Sequence, residues 1–413
     1  MAIVRPFAGY RPDKQVVNKV AALPYDVYNR QEAKAEVEKE PQSFLRIDRP
    51  ETNFGDDFDM YSQEAYDKAS ELLHTAFNDG TYIHDESPVY YIYELIMDGR
   101  SQTGIVAAAS IDDYQNNIIK KHENTLAAKE QDRINHIYYC NAQTGPIFLA
   151  YRDRDMINAV VARVKETPKT YGFTSDDGVT HNVWVITDEN DINVIKAEFG
   201  EETRIYIADG HHRAASAVKV GLRKREENPG YTGEEEFNYF LSVLFPESEL
   251  KILPYNRVVK DLNGMTQDEF FDKLSKVYDI KKVSEAYQPE EKGFVGMFIA
   301  DSWYELKIHD DLRSDDPVEG LDVSLLQNNV LNPILGIEDP RTDSRIAFVG
   351  GIRGLGELER RVATDMTIAF SMYPTSIGEL FDVADAGLLM PPKSTWFEPK
   401  LRSGIFIHRL DEE

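Results

Sequence analysis

The chain predicts an α+β fold in two domains, and three observations carry that reading. Strand-like apolar runs and helix-period segments are interleaved without strict strand–helix–strand alternation. Two of the runs, 89–97 and 103–109, are linked through Asp98-Gly99, a hairpin signal that argues for antiparallel pairing. A charged, turn-rich stretch at 224–236 then precedes a region of different rhythm from about residue 265, placing a break near 255 and giving domains 1–255 and 256–413.

Residues 3–29 carry Pro6, Gly9, Pro12 and Pro24, which suits extended segments and turns. In 61–77 the apolar positions Ala65, Ala69, Leu72, Leu73 and Phe77 follow a helical period, closed by Asn78-Asp79-Gly80. After the hairpin, 125–139 reads as a polar helix and 147–151 as a short buried strand. Strand 182–186, helix 191–199, strand 204–208 and a helix over 211–222 come next, then a strand over 239–245. Beyond the break the pattern gives a helix over 267–277, strands 295–299 and 304–308, and a helix near 325–331. The glycines of 350–356 read as turns in a hairpin-like context.

Composition limits the function classes. At 42% hydrophobic and 29% charged, the 413 residues suffice for a real core and exclude general disorder. The 72 acidic against 46 basic residues give a formal charge of −26, which opposes nucleic acid and anionic membranes as partners. Cys140 is the single cysteine, so an intrachain disulfide and a multi-cysteine zinc site are excluded. The apolar run at the start is too short for a secretory leader, and no stretch reaches the ~20 apolar residues of a membrane helix. A soluble, cytoplasmic protein is expected, free to form homo-oligomers.

Asp209-Gly210-His211-His212-Arg213 is the sharpest feature. An apolar strand runs into a turn and a helix starts at once, so helix amides and the macrodipole favour an anion there. Asp209 is placed to cap the helix, Gly210 permits close approach, and Arg213 can grip a phosphate through two parallel bonds. Ala214, Ala217 and Val218 form a narrow apolar face against the sheet. The plain alternative is a capped helix with surface imidazoles.

A second cluster, Lys120-Lys121-His122-Glu123-Asn124-Thr125, leads to Lys129, Arg133 and His136, spaced to share one helix face. There Glu123 is the candidate general base and Lys129 and Arg133 candidate phosphate ligands. The plain alternative is a solvated helix with pairs such as Glu130–Arg133. No helical His pair brackets a glutamate, and His211 and His212 would point about 100° apart, so no transition metal is expected. Magnesium held by Asp209 beside a nucleotide needs fewer protein ligands. Two rigid stretches, Pro24-Tyr25-Asp26-Val27 and Met390-Pro391-Pro392-Lys393-Ser394-Thr395, are candidate pocket walls. From them Asp26, Lys393, Ser394 and Thr395 are candidate substrate contacts.

These segments, together with Arg5-Pro6-Phe7, occur in an order that resembles the bacterial and archaeal domain-of-unknown-function family 1015 over essentially the whole chain. The Asp209–Arg213 segment looks like the phosphate-binding motif of the ParB/sulfiredoxin superfamily, which includes free-serine kinases. The resemblance implies a mixed-sheet nucleotide-binding core with a second α+β domain. It implies nucleotide-phosphate contacts from Asp209, Gly210, His211, His212 and Arg213, with Glu123 as base, preceded by His122. Asp209 stands 86 positions after Glu123, so an insertion between them is implied.

The expected activity is nucleotide-dependent phosphotransfer, with ATP, ADP or CTP and magnesium, to a small hydroxylated metabolite such as free serine. The alternative is a non-enzymatic nucleotide-binding regulatory protein. Either way, duplex DNA should not bind appreciably at about 150 mM salt. A gel shift showing tight complexes there would overturn that expectation.

Overall fold

The structure, a computed structural model, describes residues 1–411. It divides into two compact units: Met1–Leu250 with the segment from Pro399 onward, and Lys251–Glu398. The break near 255 marks where the second unit begins, but that unit does not run to the C-terminus as 256–413 would require. Residues from Pro399 return to the first unit, where Ser403 bridges Ala22 and Ile407 bridges Tyr10. His408–Arg409 pairs with Ala142–Gln143. The reason is apolar burial: Leu401, Ile405, Phe406 and Ile407 are each at most 3% exposed.

The first unit is built on a mixed sheet of β1 (Val4–Arg5), β2 (Tyr90–Met97), β3 (Arg100–Ser110), β4 (Ile119–Lys120), β5 (Ile147–Tyr151), β6 (Tyr171–Thr174), β7 (Thr180–Ile186), β8 (Ile205–Asp209) and β9 (Tyr239–Pro246). The order is β4-β8-β5-β9-β3-β2-β7-β6, with β1 on β3. Asp98 and Gly99 both take positive φ, 52° and 78°, the two-residue turn whose twist suits the β2–β3 hairpin. Tyr90, Tyr91, Ile92 and Tyr93 are fully buried, so β2 is covered on both faces. That explains its continuous apolar run in place of alternation.

Most crossings in this sheet are antiparallel, but β9 runs parallel to β5 and β4 runs parallel to β8. In the latter pair Ile119 faces Ile205 and Lys120 faces Tyr206. Helix α1 (Ala127–Cys140) comes after β4, and α2 (His211–Glu227) directly after β8. Ala214, Ala217 and Val218 of α2 join the core under the sheet, as their spacing suggested. Helix α2 extends through Glu227, so the charged loop starts later than residue 224.

The second unit carries β10 (Tyr255–Val259), β11 (Tyr278–Val283), β12 (Phe294–Ile299), β13 (Ser302–Ile308), β14 (Ile346–Gly350) and β15 (Ile368–Met372). They form an antiparallel sheet in the order β11-β13-β12-β15-β10-β14. Leu358, from the helix Gly354–Thr364, packs on Val258, Phe298 and Ala369. The glycines at 350–356 need correcting: they join a strand to a helix, through a 3₁₀ turn at Gly351–Arg353. Gly354 has φ +70°, which carries the chain from that turn into the helix. The expected helix near 325–331 is a short α-helix, Asp322–Leu326, continued by a π-helical turn, Gln327–Leu331. No helix among the described residues is long and apolar enough to cross a membrane.

Gly221 lets α2 lie close to its neighbours. A Cβ there would stand 2.5 Å from the Phe237 carbonyl oxygen and 2.8 Å from an Ile111 methyl. Gly221→Ala gains about 1 kcal/mol of helix propensity but overpacks against backbone at a cost of about 1–3 kcal/mol. Net destabilisation is expected, read as a lower urea midpoint at unchanged slope.

Candidate active site

Parallel strands deliver the loops at their C-terminal ends to the same end of a sheet. The β4–β8 pairing therefore places His122 and Glu123 beside the turn after Asp209, despite the 86 positions between. Gly210 forms that turn with φ +91°, and an added Cβ would press within 3.0 Å of the Arg213 guanidinium. Only glycine satisfies both the left-handed backbone and the arginine packed over it.

Asp209 does not cap α2. Its carboxylate accepts the Gly210 amide at 2.9 Å, Gly210 itself is the cap position, and no side chain caps the helix. The first turn of α2 also holds no acidic residue. The Asp209 carboxylate faces Lys400 Nζ at 3.3 Å and the Arg213 guanidinium at 4.0 Å. Burial raises its pKa, but Lys400 and Arg213 outweigh that and hold it well below the usual carboxylate range. Arg213 also donates to the Pro146 carbonyl at 2.6 Å.

His211 faces the Glu123 carboxylate through Nδ1 at 3.6 Å. The His122 backbone amide donates to His211 Nε2 at 3.4 Å. Nε2 is then the acceptor, which puts the proton of a neutral ring on Nδ1, towards Glu123. The His122 ring meets the His211 ring edge to face, with centroids 4.4 Å apart. Burial pulls the His211 pKa well down, and the neighbouring His122 lowers it further. Burial also takes His122 down to about 4, against the pull of Asp209. Both imidazoles are neutral at pH 7. His212 Nε2 accepts the Leu126 amide at 3.0 Å, which ties the loop after Glu123 to α2.

The remaining expected groups are divided. Lys129 is solvent-exposed, whereas Arg133 and His136, on the same helix, are buried. Arg133 pairs with Asp132 at 2.8 Å and lies over the Tyr25 ring, 4.0 Å from its centroid. It does not pair with Glu130, which takes Lys219 of α2 and the Thr125 hydroxyl instead. Arg133 and His136 line a small pocket with Tyr25, Asp48, Thr144 and Arg213, so Arg213 is the link between the two clusters. Asp26 is exposed in the 3₁₀ turn Tyr25–Val27, and its neighbour Tyr25 forms the wall.

Lys393, Ser394 and Thr395 belong to the second unit. There the Ser394 hydroxyl donates to the Pro391 carbonyl at 2.6 Å, and its own carbonyl accepts from Thr375 at 3.0 Å. Lys400, which faces Asp209, follows the proline-rich stretch and carries no local motif of its own. Asp48 and Thr144, hydrogen-bonded to each other at 2.9 Å, carry no local motif at all. Among the described residues no group of three His, Cys, Asp or Glu side chains is arranged to hold a metal ion.

The family described as protein of unknown function (DUF1015) matches residues 4–324. The chain belongs to that family. No curated protein matches the chain. Among solved structures it is similar to C-terminally truncated SbnI from Staphylococcus aureus, at 12% identity over 71% of this chain and 82% of that one, TM-score 0.39. A free serine kinase variant in complex with ADP is 14% identical over 71% and 87%, TM-score 0.36. A conserved hypothetical protein from Pyrococcus furiosus is 13% identical over 72% and 93%, TM-score 0.33. These likenesses are remote.

The buried imidazoles imply a titration. Unfolded, His122 binds its proton near pH 6.5; folded, only near 4. The unfolded state thus holds the extra proton between those values, so stability falls as pH drops through that window and is level above it. The span is worth roughly 3 kcal/mol. Urea midpoints taken against pH should fall less steeply below pH 6.5 in His122→Asn than in the wild type.

Proposed function

We propose that this chain is a nucleotide-dependent phosphotransferase whose acceptor is a small hydroxylated metabolite, free serine being the expected one. The observation that carries the reading is Glu123 seated 3.6 Å from His211 Nδ1, beside a helix start that no side chain caps. Nucleotide phosphates take the first-turn amides of α2, with Arg213 and Lys400 supplying positive charge. Gly210 keeps the backbone open to them. Glu123 accepts the hydroxyl proton as the acceptor oxygen attacks the terminal phosphorus and the bond to the leaving nucleotide breaks.

The donor set suits magnesium on a nucleotide. Asp209 offers one ionised carboxylate, enough where phosphates complete the shell. Asp209 would hold the ion, which draws charge from the transferring group when bound. His122 packs behind His211 and holds it, and His212 fixes the loop that carries Glu123. Tyr25 and Asp26 form the acceptor side, and Lys129 adds peripheral positive charge.

Glu123→Gln should lower phosphoryl transfer about 10²–10⁴-fold while leaving nucleotide affinity nearly intact. Arg213→Ala should instead weaken nucleotide binding about 10- to 150-fold. Calorimetry with ATP and ADP, paired with product assay on serine and related alcohols, separates the two. Tight nucleotide binding with no turnover for any acceptor would favour the regulatory alternative. A fully active Gln variant would remove Glu123 as the base.

A further inference from the structure

The second unit contains a buried arginine that is unlike the others. Arg49, Arg133, Arg257 and Arg402 are the buried arginines among the described residues. Three have a carboxylate: Arg49 has Glu51 at 2.6 Å, Arg133 has Asp132 at 2.8 Å, and Arg402 has Asp177. Arg257, on β10 and only 3% exposed, has none. Its Nη1 donates to the Tyr255 carbonyl and its Nη2 to the Lys393 carbonyl at 3.1 Å, and its guanidinium lies 5.4 Å from the Phe348 ring centroid. A guanidinium has five N–H donors, so most remain for another acceptor. Burial without a counter-charge pushes its pKa down to about 10, still charged at neutral pH.

That guanidinium lines a cavity of about 70 Å³ whose other walls include Val323, Leu331, Phe348 and Pro391. Two further irregularities meet there. Gln327 and Leu331 on the wall are the ends of the π-helical turn, a distortion that often marks functional positions. Lys393, whose carbonyl holds Arg257, sits at φ +61°, a left-handed conformation uncommon for lysine. If the arginine served only to bridge two carbonyls, an apolar side chain would avoid burying an uncompensated charge.

We propose that this cavity in the second unit is a binding site for a short aliphatic monocarboxylate, gripped through the Arg257 fork with its tail against Val323, Leu331 and Phe348. One carboxylate balances one guanidinium and matches its planar geometry. A phosphate dianion would bring surplus charge and extra oxygens into walls that cannot satisfy them. A cavity of about 70 Å³ limits the ligand to the shortest carboxylates, of about two or three carbons.

The test is titration of the full chain with ¹³C-propionate, monitored by NMR line broadening and by thermal unfolding. Saturable binding is expected in the wild type, weakened at least about 10-fold in both Arg257→Met and Arg257→Lys, since lysine cannot present the fork. Val323→Phe, which fills the cavity without touching the arginine, should cause the same loss and serves if the Arg257 variants do not fold. Absence of saturation up to about 50 mM, or an Arg257→Met variant that binds within about 2-fold of the wild type, overturns the site. Inorganic phosphate binding in preference to propionate overturns the carboxylate assignment.

Discussion

Two residue pairs, Ile119 with Ile205 and Lys120 with Tyr206, hold β4 parallel to β8, and the candidate active site hangs from that pairing. A side chain on a strand alternates faces with each residue, so a slip of one position would turn Ile119 outward and carry His122 and Glu123 out of reach of α2. Such a short strand has few ladder bonds with which to resist a slip. The register is secured instead by contacts further along the chain: His122 donates to His211, Leu126 donates to His212, and Ser216 donates to the Glu130 carbonyl at 3.1 Å. Helices α1 and α2 clamp the loop that two residue pairs only begin to place.

The electrostatics of the site run against those of the whole molecule. The chain carries a formal charge of −26, yet its one sharply defined turn gathers Arg213 and Lys400 around a single carboxylate. The two imidazoles there add no charge, because taking a charged ring out of water costs more than Asp209 returns. Neutral rings have another use. They can accept from backbone amides on one side and keep a proton on the other: His211 accepts the His122 amide through Nε2 and turns Nδ1 towards Glu123, 3.6 Å away. Glu123, part exposed, thus has the buried His211 on one side and solvent on the other.

Much of the fold was legible because its signals are local. The Asp98-Gly99 turn, the continuous apolar run of β2 and the small-residue face of α2 each report their own structure. The Asp209–Arg213 turn was legible for the same reason. What sequence could not supply was side-chain partnering. Spacing put Lys129, Arg133 and His136 on one face, but burial divides them, and Arg133 turns to Asp132 and Tyr25. Lys400 reaches Asp209 only because the C-terminal segment folds back on the first unit, a contact spanning 191 positions. The glycines at 350–356 were misplaced because a 3₁₀ turn lies between β14 and the helix, so neither period is clean across them.

Other helix starts in the chain show what α2 lacks. The helices Arg30–Lys39, Gln267–Leu274 and Ile377–Asp385 each begin with a reciprocal capping box, and Gln63–Asn78 and Glu189–Gly200 have side-chain caps from Ser62 and Asp188. A cap contributes about 1 kcal/mol, and serine, threonine, asparagine and aspartate supply it readily. Helix α2, longer than any of these, has glycine at that position and histidine, histidine and arginine in its first turn. The carboxylate that stands next door bonds Gly210 and answers to Lys400, not to the helix. The helices Ala127–Cys140, Asp155–Lys165 and Gly354–Thr364 also start without a side-chain cap, so what sets α2 apart is its company: a left-handed glycine at the cap position with Arg213 and Lys400 gathered beside it.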